Sequence, residues 1–599
     1  KSALIRIMVL NVPVPREVLC VRPAASVVCA AFLPLAAPAG GADPADLVLR
    51  NGRVVTVEKD NRVFEAMAVR GERVAAVGSN AEMDDLVGPG TTLVDLEGRM
   101  VLPGLIDSHT HPVGAAMIEF DHAIPEMRTI ADVLAHVEAR AAALPEDGWI
   151  VLQQVFITRL AEQRYPTRAE LDRAAPGHRV VFRTGPDASL NSKALAHFGI
   201  DRAYQAPAGS KVERDPGTGE PTGILRGSGG MIEIPSEPGQ PEEPARLGRV
   251  RSLFADYNAA GITAVSDRNA SGDAARLYGE LRDRGELTVR VFLSRGVGNA
   301  GGSDEIRERI RAVADEPLAR EGTPMLRTIG IKMFLDGGML TGSAFMSQPW
   351  GTSRAYGISD PAYRGLRFIP PDALEAAVDE AVANGLQFTA HSVGDGAVDA
   401  LLDAYEAVAA RRPIRHTRPN ITHCNFMSAA AIARMAHLGV SADIQPAWLY
   451  LDGRTLLGHF GEDRLAFFQP LRDLFAAGVM AGGGSDHMQK IGRLRSINPY
   501  DPFLGMWTTL ARLPRGLDKP LHPAQALDRP DAIRFYTANN AWLLFMEKEI
   551  GSLEPGKFAD FVVLDRNLLE CPLADIPRTR VLETWLAGRR VYQADQGGL

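Results

Sequence analysis

The chain has 599 residues, of which 46% are hydrophobic. This length and composition predict one large folded domain beside a smaller one, and exclude a disordered or fibrous protein. A formal net charge of -8 and a sequence pI near 6.0, without clusters of Lys and Arg, argue against nucleic-acid binding, because neutralising phosphates needs such clusters. Two of the four cysteines lie in the first 30 residues and the other two are far apart, so they form no disulfide framework.

Residues 1–42 have the character of a leader. Arg16 and Arg22 accompany an apolar stretch, 24–37, that is too short for a stable membrane span of about 20 residues, and small residues follow it before Asp43. The pattern resembles a secretory signal peptide and predicts a secreted or periplasmic protein. A disordered tail or a tag remnant is the open alternative, and without a signal peptide we expect a cytoplasmic protein.

Both ends of the remaining chain are predicted to form short β-strands. Residues 43–98 contain runs such as DLVLRNGRVVTV, and residues 546–599 contain FADFVVLD, in each case among Gly, Asp and Asn turn residues. Because the two ends have the same character, we expect them to pair into one small composite β-sandwich domain.

Residues 99–545 alternate apolar runs with helical patterns. Eight runs read as strands, from GLIDSHTH to VMAGGGSD, and helical segments such as SAAAIARMAHLG end at a Gly. Eight strands separated by helices predict an α/β fold, a (β/α)8 TIM barrel. The gap between the first two strands, 112–260, is too long for one crossover and predicts an insertion that serves as a lid or a substrate-facing subdomain.

The first predicted strand ends in His109 and His111, which share a face because side chains two apart in a strand point the same way. Such a pair indicates either metal ligands or two hydrogen-bonded histidines. Catalytic groups of a TIM barrel lie at the carboxyl ends of its strands. Four further polar residues fall at these ends or within these strands: Lys332, His391, His423 and Asp486. A metal would explain their burial, which otherwise costs several kcal/mol for an unpaired charge.

The order H-x-H, Lys, His, His, Asp along a barrel resembles the amidohydrolase superfamily. The flanking segments resemble, in order, those of its YtcJ-like branch, amidohydrolase family 3. These segments are GLIDSHTHP, PTGILRG, GITAVSD, IKMFLDG, HSVGDGAVD, GGGSD and IGSLEPGKFADFVVLD. The likeness extends over about 46–592. N-substituted formamide deformylases belong to this branch.

The resemblance implies a ligand set for one or two divalent metal ions, with zinc the best suited. His109, His111 and Asp486 would hold one ion, His391 and His423 a second, and Lys332 would bridge them after N6-carboxylation. An ammonium cannot ligate, whereas a carbamate is an anionic oxygen donor. The open alternative is that Lys332 pairs with Asp336 and that the site holds a single metal.

Three further residues are candidate substrate or supporting positions. Asp267 and Asp336 follow the second and fourth strands and are expected to accept hydrogen bonds from metal ligands. His487 is expected at the rim of the pocket. The sequence also departs from the branch at Pro186-Asp187, where a His often stands, which predicts a different substrate contact there.

The predicted function is hydrolysis of a C–N bond, in an amide, N-acyl or N-formyl substrate, by a metal-bound hydroxide. Asp486 and His423 are the catalytic candidates, and Asp486 is expected to take a proton from the nucleophile and to return it to the leaving nitrogen. The expected partner is a small amide-type molecule, with a homodimer left open. An ester or lactone hydrolase and a non-catalytic metal-binding regulatory protein remain alternatives.

Overall fold

The computed structural model describes residues 43–233 and 241–595, so the predicted leader, 1–42, lies outside the described residues. Eight parallel strands form the central sheet, and each pairs with the next along the chain. The strands are β1 Leu105–Thr110, β2 Ile262–Ala270, β3 Arg290–Gly296, β4 Leu326–Phe334, β5 Gln387–Ser392, β6 Asn420–His423, β7 Ser441–Ile444 and β8 Ala481–Gly483.

Backbone hydrogen bonds beyond β8 bring the last strand to the first. The Asp486 amide donates to the His109 carbonyl at 2.8 Å, and the His111 amide donates to the His487 carbonyl at 2.8 Å. All six residues of β1 are buried, as expected for a parallel strand covered on both faces. The predicted (β/α)8 barrel is therefore confirmed.

Helices alternate with the strands and bury one face against them. Helix Ala429–Leu438 shows how the sequence defines the ends of a helix. The Ser428 side chain accepts a hydrogen bond from the Ala431 amide at its start, and Gly439 ends it with a φ of 74°. The helices that precede β2 or follow it are Glu243–Ala259, Gly272–Asp283, Ser303–Ala314, Pro317–Arg320, Pro371–Ala383, Asp395–Ala409, Ala429–Leu438, Pro446–Arg464, Leu471–Ala476, Pro502–Ala511, Arg529–Phe535 and Ala538–Leu543. Among the described residues, no helix is long and apolar enough to cross a membrane.

Strands near the ends of the described chain form two sheets, and the second of them joins both ends. The first contains Leu47–Arg50, Ala66–Arg70, Arg73–Gly78 and Thr92–Asp95, with the short helix Asn80–Asp84 beside it. The second contains Arg53–Val55, Val63–Phe64, Met100–Pro103, Phe561–Leu564, Val581–Leu586 and Arg589–Gln593. Val562 pairs with Leu102 across the antiparallel junction of the two chain ends. Buried residues of both sheets form one apolar core, which confirms the composite β-domain.

The segment between β1 and β2 carries a sheet of its own. Its strands are, in sheet order, Lys211–Arg214, Pro221–Arg226, Asp187–Leu190, Arg179–Thr184 and Trp149–Leu152. Its helices are Pro112–Met117, Ile130–Ala143, Arg168–Ala174 and Ser192–His197. The sequence predicted an insertion here but did not identify this sheet. Its role as a lid stays a prediction.

Candidate active site

His109, His111 and Asp486 form a compact cluster at the carboxyl ends of β1 and β8. His109 Nε2 lies 3.3 Å from His111 Nε2 and 3.3 Å from Asp486 Oδ1, and His111 Nε2 lies 3.2 Å from the same oxygen. His109 and Asp486 are buried, whereas a quarter of the His111 side chain is exposed. In the described part of the chain, no other set of three His, Cys, Asp or Glu ligand atoms is grouped within 4.8 Å.

The spacing of the three ligand atoms fits a metal ion. Zinc lies about 2.0–2.1 Å from a His nitrogen or carboxylate oxygen, so tetrahedral ligand atoms are separated by about 3.3 Å. The three observed separations of 3.2–3.3 Å match this value. Burial opposes the charged form of His111, but Asp267 and Asp486 raise its pKa to about 9. The cluster therefore favours a positive charge at its centre.

A glycine allows β8 to approach β1 closely enough to form this cluster. A Cβ on Gly484 would lie 2.8 Å from both the backbone nitrogen and the Cβ of His109. Asp486 has a φ of 55° and His423 a φ of 83°, which are left-handed values that cost about 1–3 kcal/mol in non-glycine residues. The surrounding structure therefore holds both side chains in strained backbone positions.

His391 and His423 pack beside the cluster. Their ring centroids are 4.5 Å apart, and the His423 ring stacks on the His109 ring at 5.0 Å. Burial lowers the pKa of His423 well below its usual range, and the neighbouring His391 and Lys332 lower it further. His423 is therefore neutral at pH 7, the form in which imidazole binds a metal.

Each of three histidines is oriented through its Nδ1 atom. His391 Nδ1 lies 2.9 Å from Asp336 Oδ1, and His423 Nδ1 lies 2.8 Å from Gln445 Oε1. His109 Nδ1 lies 2.8 Å from Asp443 Oδ1. Since these oxygens accept hydrogen bonds, each Nδ1 carries the proton and each Nε2 keeps its lone pair. Metal-binding histidines are oriented in this way.

Asp443 is buried and accepts several of the hydrogen bonds around these histidines. The sequence analysis did not identify it. Its Oδ2 accepts from Asn420 Nδ2 at 2.6 Å and from Thr422 Oγ1 at 2.9 Å, while Gln445 Nε2 donates to Oδ1 at 3.0 Å. Burial acts to raise the pKa of Asp443, but His109, Arg268 and Lys332 hold it well below its usual range. The carboxylate is therefore ionised and fixes the orientation of His109.

Lys332 lies in the barrel interior and is buried. Burial lowers its pKa to about 8, although Asp443 and Asp486 act in the opposite direction. Within residues 43–233 and 241–595, no carboxylate lies within 4.0 Å of its Nζ, so the alternative ion pair with Asp336 is not formed. Asp336 instead accepts from His391 and from three backbone amides.

Two predicted positions remain, Asp267 and His487. Asp267 accepts from the Tyr278 hydroxyl at 2.9 Å and lies 3.8 Å from His111 Nδ1. His487 does not lie at the pocket rim: it is fully buried, with Nδ1 2.7 Å from the Tyr257 hydroxyl and Nε2 2.8 Å from the Lys490 carbonyl. Its backbone forms a parallel bridge with Thr110, the last residue of β1.

Comparison with known proteins identifies the family. The amidohydrolase family matches residues 92–592. N-substituted formamide deformylase from Arthrobacter pascens is 28% identical over 562 residues, which cover 92% of this chain and 98% of that protein. Putative amidohydrolase YtcJ from Bacillus subtilis is 23% identical over 556 residues, which cover 91% of this chain and 99% of that protein.

One solved structure has the same fold over most of its length. An uncharacterized metal-dependent hydrolase from Pyrococcus horikoshii OT3 superposes with a TM-score of 0.62 at 22% identity, covering 88% of this chain and 99% of that one. At this identity, the likeness supports the fold alone. With the family match over most of its length, the chain belongs to the amidohydrolase family, as the order of its motifs predicts.

Proposed function

We propose that the chain is a metal-dependent hydrolase that cleaves the C–N bond of a small amide-type molecule, with N-acyl and N-formyl amines as the leading substrate class. The observation that carries the proposal is the spacing of His109, His111 and Asp486, which fits a tetrahedral metal. Family membership supports the hydrolase, and similarity to an N-substituted formamide deformylase supports the substrate class.

These three residues would hold one divalent ion, with zinc best suited to two imidazoles and a carboxylate. His391 and His423 would hold a second ion, since each directs its Nδ1 to a protein oxygen and keeps Nε2 available. Lys332 would bridge the two ions as a carbamate. Its burial without an ion pair supports this role, because an unpaired buried ammonium is costly and a neutral amine can react with carbon dioxide.

A bound divalent metal lowers the pKa of water from about 15.7 to about 7 and polarises a carbonyl. The protein's own contribution is proton transfer. Asp486 Oδ1 faces both imidazoles, whereas Oδ2 accepts no hydrogen bond from any residue in the described ranges. In the proposed mechanism, Oδ2 takes the proton of the attacking water and delivers it to the departing nitrogen. His423, the second catalytic candidate, stays neutral beside this path.

Activity screening across formanilides, N-acyl amino acids and aryl esters tests the proposal. We expect amide cleavage by the native chain, and a loss of about 10²- to 10⁴-fold in Asp486→Asn from removing general acid–base catalysis alone. Asp452→Asn is the control, because Asp452 is also buried but bonds Thr158 and Arg159. Cleavage of esters alone would replace the proposal with an ester hydrolase. Metal binding without any turnover would favour the regulatory alternative.

A further inference from the structure

Asn498 lies in the segment that follows β8 and bonds back to Asp486. Its side chain is fully buried, and its Nδ2 donates a hydrogen bond to the Asp486 carbonyl at 2.9 Å. The Asp486 amide donates to the His109 carbonyl at 2.8 Å, so both backbone polar groups of Asp486 have partners. In the described part of the chain, no other side chain bonds the backbone of Asp486. Asn498 therefore closes the loop 486–498 onto a candidate metal ligand.

The backbone of Asp486 needs such a partner because its conformation is unfavourable. Its φ of 55° is left-handed, and a non-glycine residue stays there only where the surrounding contacts hold it. From this conformation, the carboxylate places Oδ1 3.3 Å from His109 Nε2 and 3.2 Å from His111 Nε2. Loss of the bond from Asn498 would leave a buried carbonyl without its donor and allow this strained residue to relax. The carboxylate would then leave the position that fits a metal.

The amide oxygen of Asn498 is bonded toward the other half of the site. Trp448 Nε1, near the start of helix Pro446–Arg464, donates to Asn498 Oδ1 at 3.4 Å. Trp448 is buried, so its N–H group needs an acceptor within the protein. Its indole packs on the His423 ring with a centroid separation of 4.8 Å. One amide group therefore bonds both to Asp486 and to the residue that packs on His423.

A third contact fixes the orientation of the Asn498 amide group. Arg159, in the insertion, donates from Nη2 to Asn498 Oδ1 at 3.2 Å, and the same guanidinium pairs with Asp452 and contacts the Ile497 carbonyl. Since Oδ1 receives two donors and Nδ2 faces a carbonyl, a reversed amide would place its NH2 against both donors. Asp452 contacts Asn498 only through Arg159, whose bond to the Ile497 carbonyl does not depend on Asp452. The bond from Asn498 to Asp486 is therefore specified by its surroundings.

We propose that Asn498 is a positioning residue that holds Asp486 in its metal-binding geometry and keeps Trp448 against His423. It would thereby prepare both halves of the site for metal. This inference rests on the proposed metal-dependent function and adds a residue to it. Asn498 acts through a backbone carbonyl and an indole ring, without contact with the reacting atoms. Residues that orient metal ligands typically contribute about 10- to 100-fold to metal affinity.

Asn498→Asp tests the bond to Asp486. The substitution keeps an oxygen for Trp448 and Arg159, but replaces the NH2 donor with an oxygen that faces the Asp486 carbonyl. We expect competition with a chromophoric chelator to show a loss of about 10- to 100-fold in zinc affinity. Asn498→Ala removes the bonds to both halves of the site without burying a charge, and should lose zinc affinity to a similar extent.

Asn258→Asp is the matched control for the loss of a buried amide. Asn258 is also buried, and its Nδ2 donates to the Ile262 and Thr288 carbonyls at 3.1 and 3.0 Å. Ile262 is the first residue of β2, so Asn258 lies at the opposite end of the barrel from the candidate ligands. We expect Asn258→Asp to lose stability in urea, as Asn498→Asp does, but to keep the native zinc affinity. Equal zinc affinities for the two variants would overturn the inference.

Hydrogen exchange of the metal-free protein keeps this test independent of metal binding and of turnover. Mass spectrometry of peptides covering 484–490 should show about 2- to 10-fold faster amide exchange in Asn498→Ala than in the native chain, the worth of one hydrogen bond, and the native rate in Asn258→Asp. Faster exchange in Asn498→Ala, with a native chain that binds no zinc, would refute the proposed function but support the role of Asn498. Zinc-dependent hydrolysis by the native chain, with native exchange and zinc affinity in both Asn498 variants, would do the reverse.

Discussion

Substitution of Asp443 by asparagine tests whether the hydrogen bonds around the histidines support metal binding. Asp443 is fully buried, and its two oxygens accept four hydrogen bonds. Each oxygen receives two donors, so an amide group in either orientation places its NH2 against two of them. The Asp443→Asn variant would therefore leave two donors without an acceptor in the barrel interior.

The magnitude follows from these contacts. A buried donor left unsatisfied costs about 1–3 kcal/mol, and breaking a buried charged network costs about 3–5 kcal/mol. We expect Asp443→Asn to lower the free energy of unfolding by about 3–5 kcal/mol, measured by urea denaturation of metal-free protein. Loss of a residue that orients a metal ligand typically costs about 10–100-fold in metal affinity. Competition with a chromophoric chelator should show a loss of about that size, because His109 is no longer oriented.

Asp452→Asn is the matched control for burial and charge. Asp452 is also fully buried, and accepts from Thr158 Oγ1 and Arg159 Nη2, each at 2.8 Å. None of these partners is a candidate metal ligand. We expect this variant to lose stability but to keep the native metal affinity. Equal metal affinities for the two variants would refute the role assigned to Asp443.

Three other predictions concern separate parts of the chain. Burial lowers the pKa of His136 to about 4, and the charges of His122, Arg140 and Lys490 contribute. As the pH falls from 6.5 to 4, the unfolded chain therefore takes up a proton at this residue before the folded chain does, and the folded state should lose up to about 1 kcal/mol of stability. Urea denaturation at each pH should show a smaller loss for His136→Gln. Gly484→Ala should lower the free energy of unfolding by about 1–3 kcal/mol, whereas Gly458→Ala, whose added Cβ meets nothing within 4 Å, should not destabilise the chain. The buried Cys424 thiol, whose pKa burial raises well above its usual range, should resist alkylation until the chain unfolds, as peptide mass spectrometry would show; modification of the native protein would contradict this.

The fold and the residue types of the site follow from simple periodic patterns. Strand alternation places His109 and His111 on one face, and a parallel barrel brings the carboxyl ends of β1 and β8 together. These two rules are enough to predict that Asp486 meets the two histidines. The comparable β-rich character of the chain ends was enough to predict their shared domain.

Other features of the site, the role of Asp443 and the orientation of His487, are only weakly indicated by the local sequence pattern. Ser441 and Asp443 in β7, and Gln445 directly after it, are polar at every second position and buried, a pattern that marks one polar face and would have identified Asp443. His487 turns inward because Asp486 adopts a left-handed backbone conformation, which breaks the simple alternation of side chains. Its ring then packs 4.2 Å from that of Tyr500, by centroid distance.

The insertion was the hardest part to predict. Its strands are four to six residues long and are separated by turn-rich segments. Apolar runs of this length are equally compatible with a loop or a short helix, so they do not identify strands. Contacts distant in sequence stabilise it, including the bonds from Arg226 to Thr341 and from Ser343 to Asp187. Such pairings between the insertion and the loop after β4 are not visible in either segment alone.

Metal content per chain tests the central claim most directly. The protein, purified without added metal and kept in bicarbonate, is measured by plasma mass spectrometry beside Lys332→Ala and Asp486→Ala. We predict close to two metal ions in the native chain, and one or fewer in each variant. One ion in both the native chain and Lys332→Ala would remove Lys332 from the site and leave a mononuclear centre. A native chain without metal would contradict the metal-dependent hydrolase altogether.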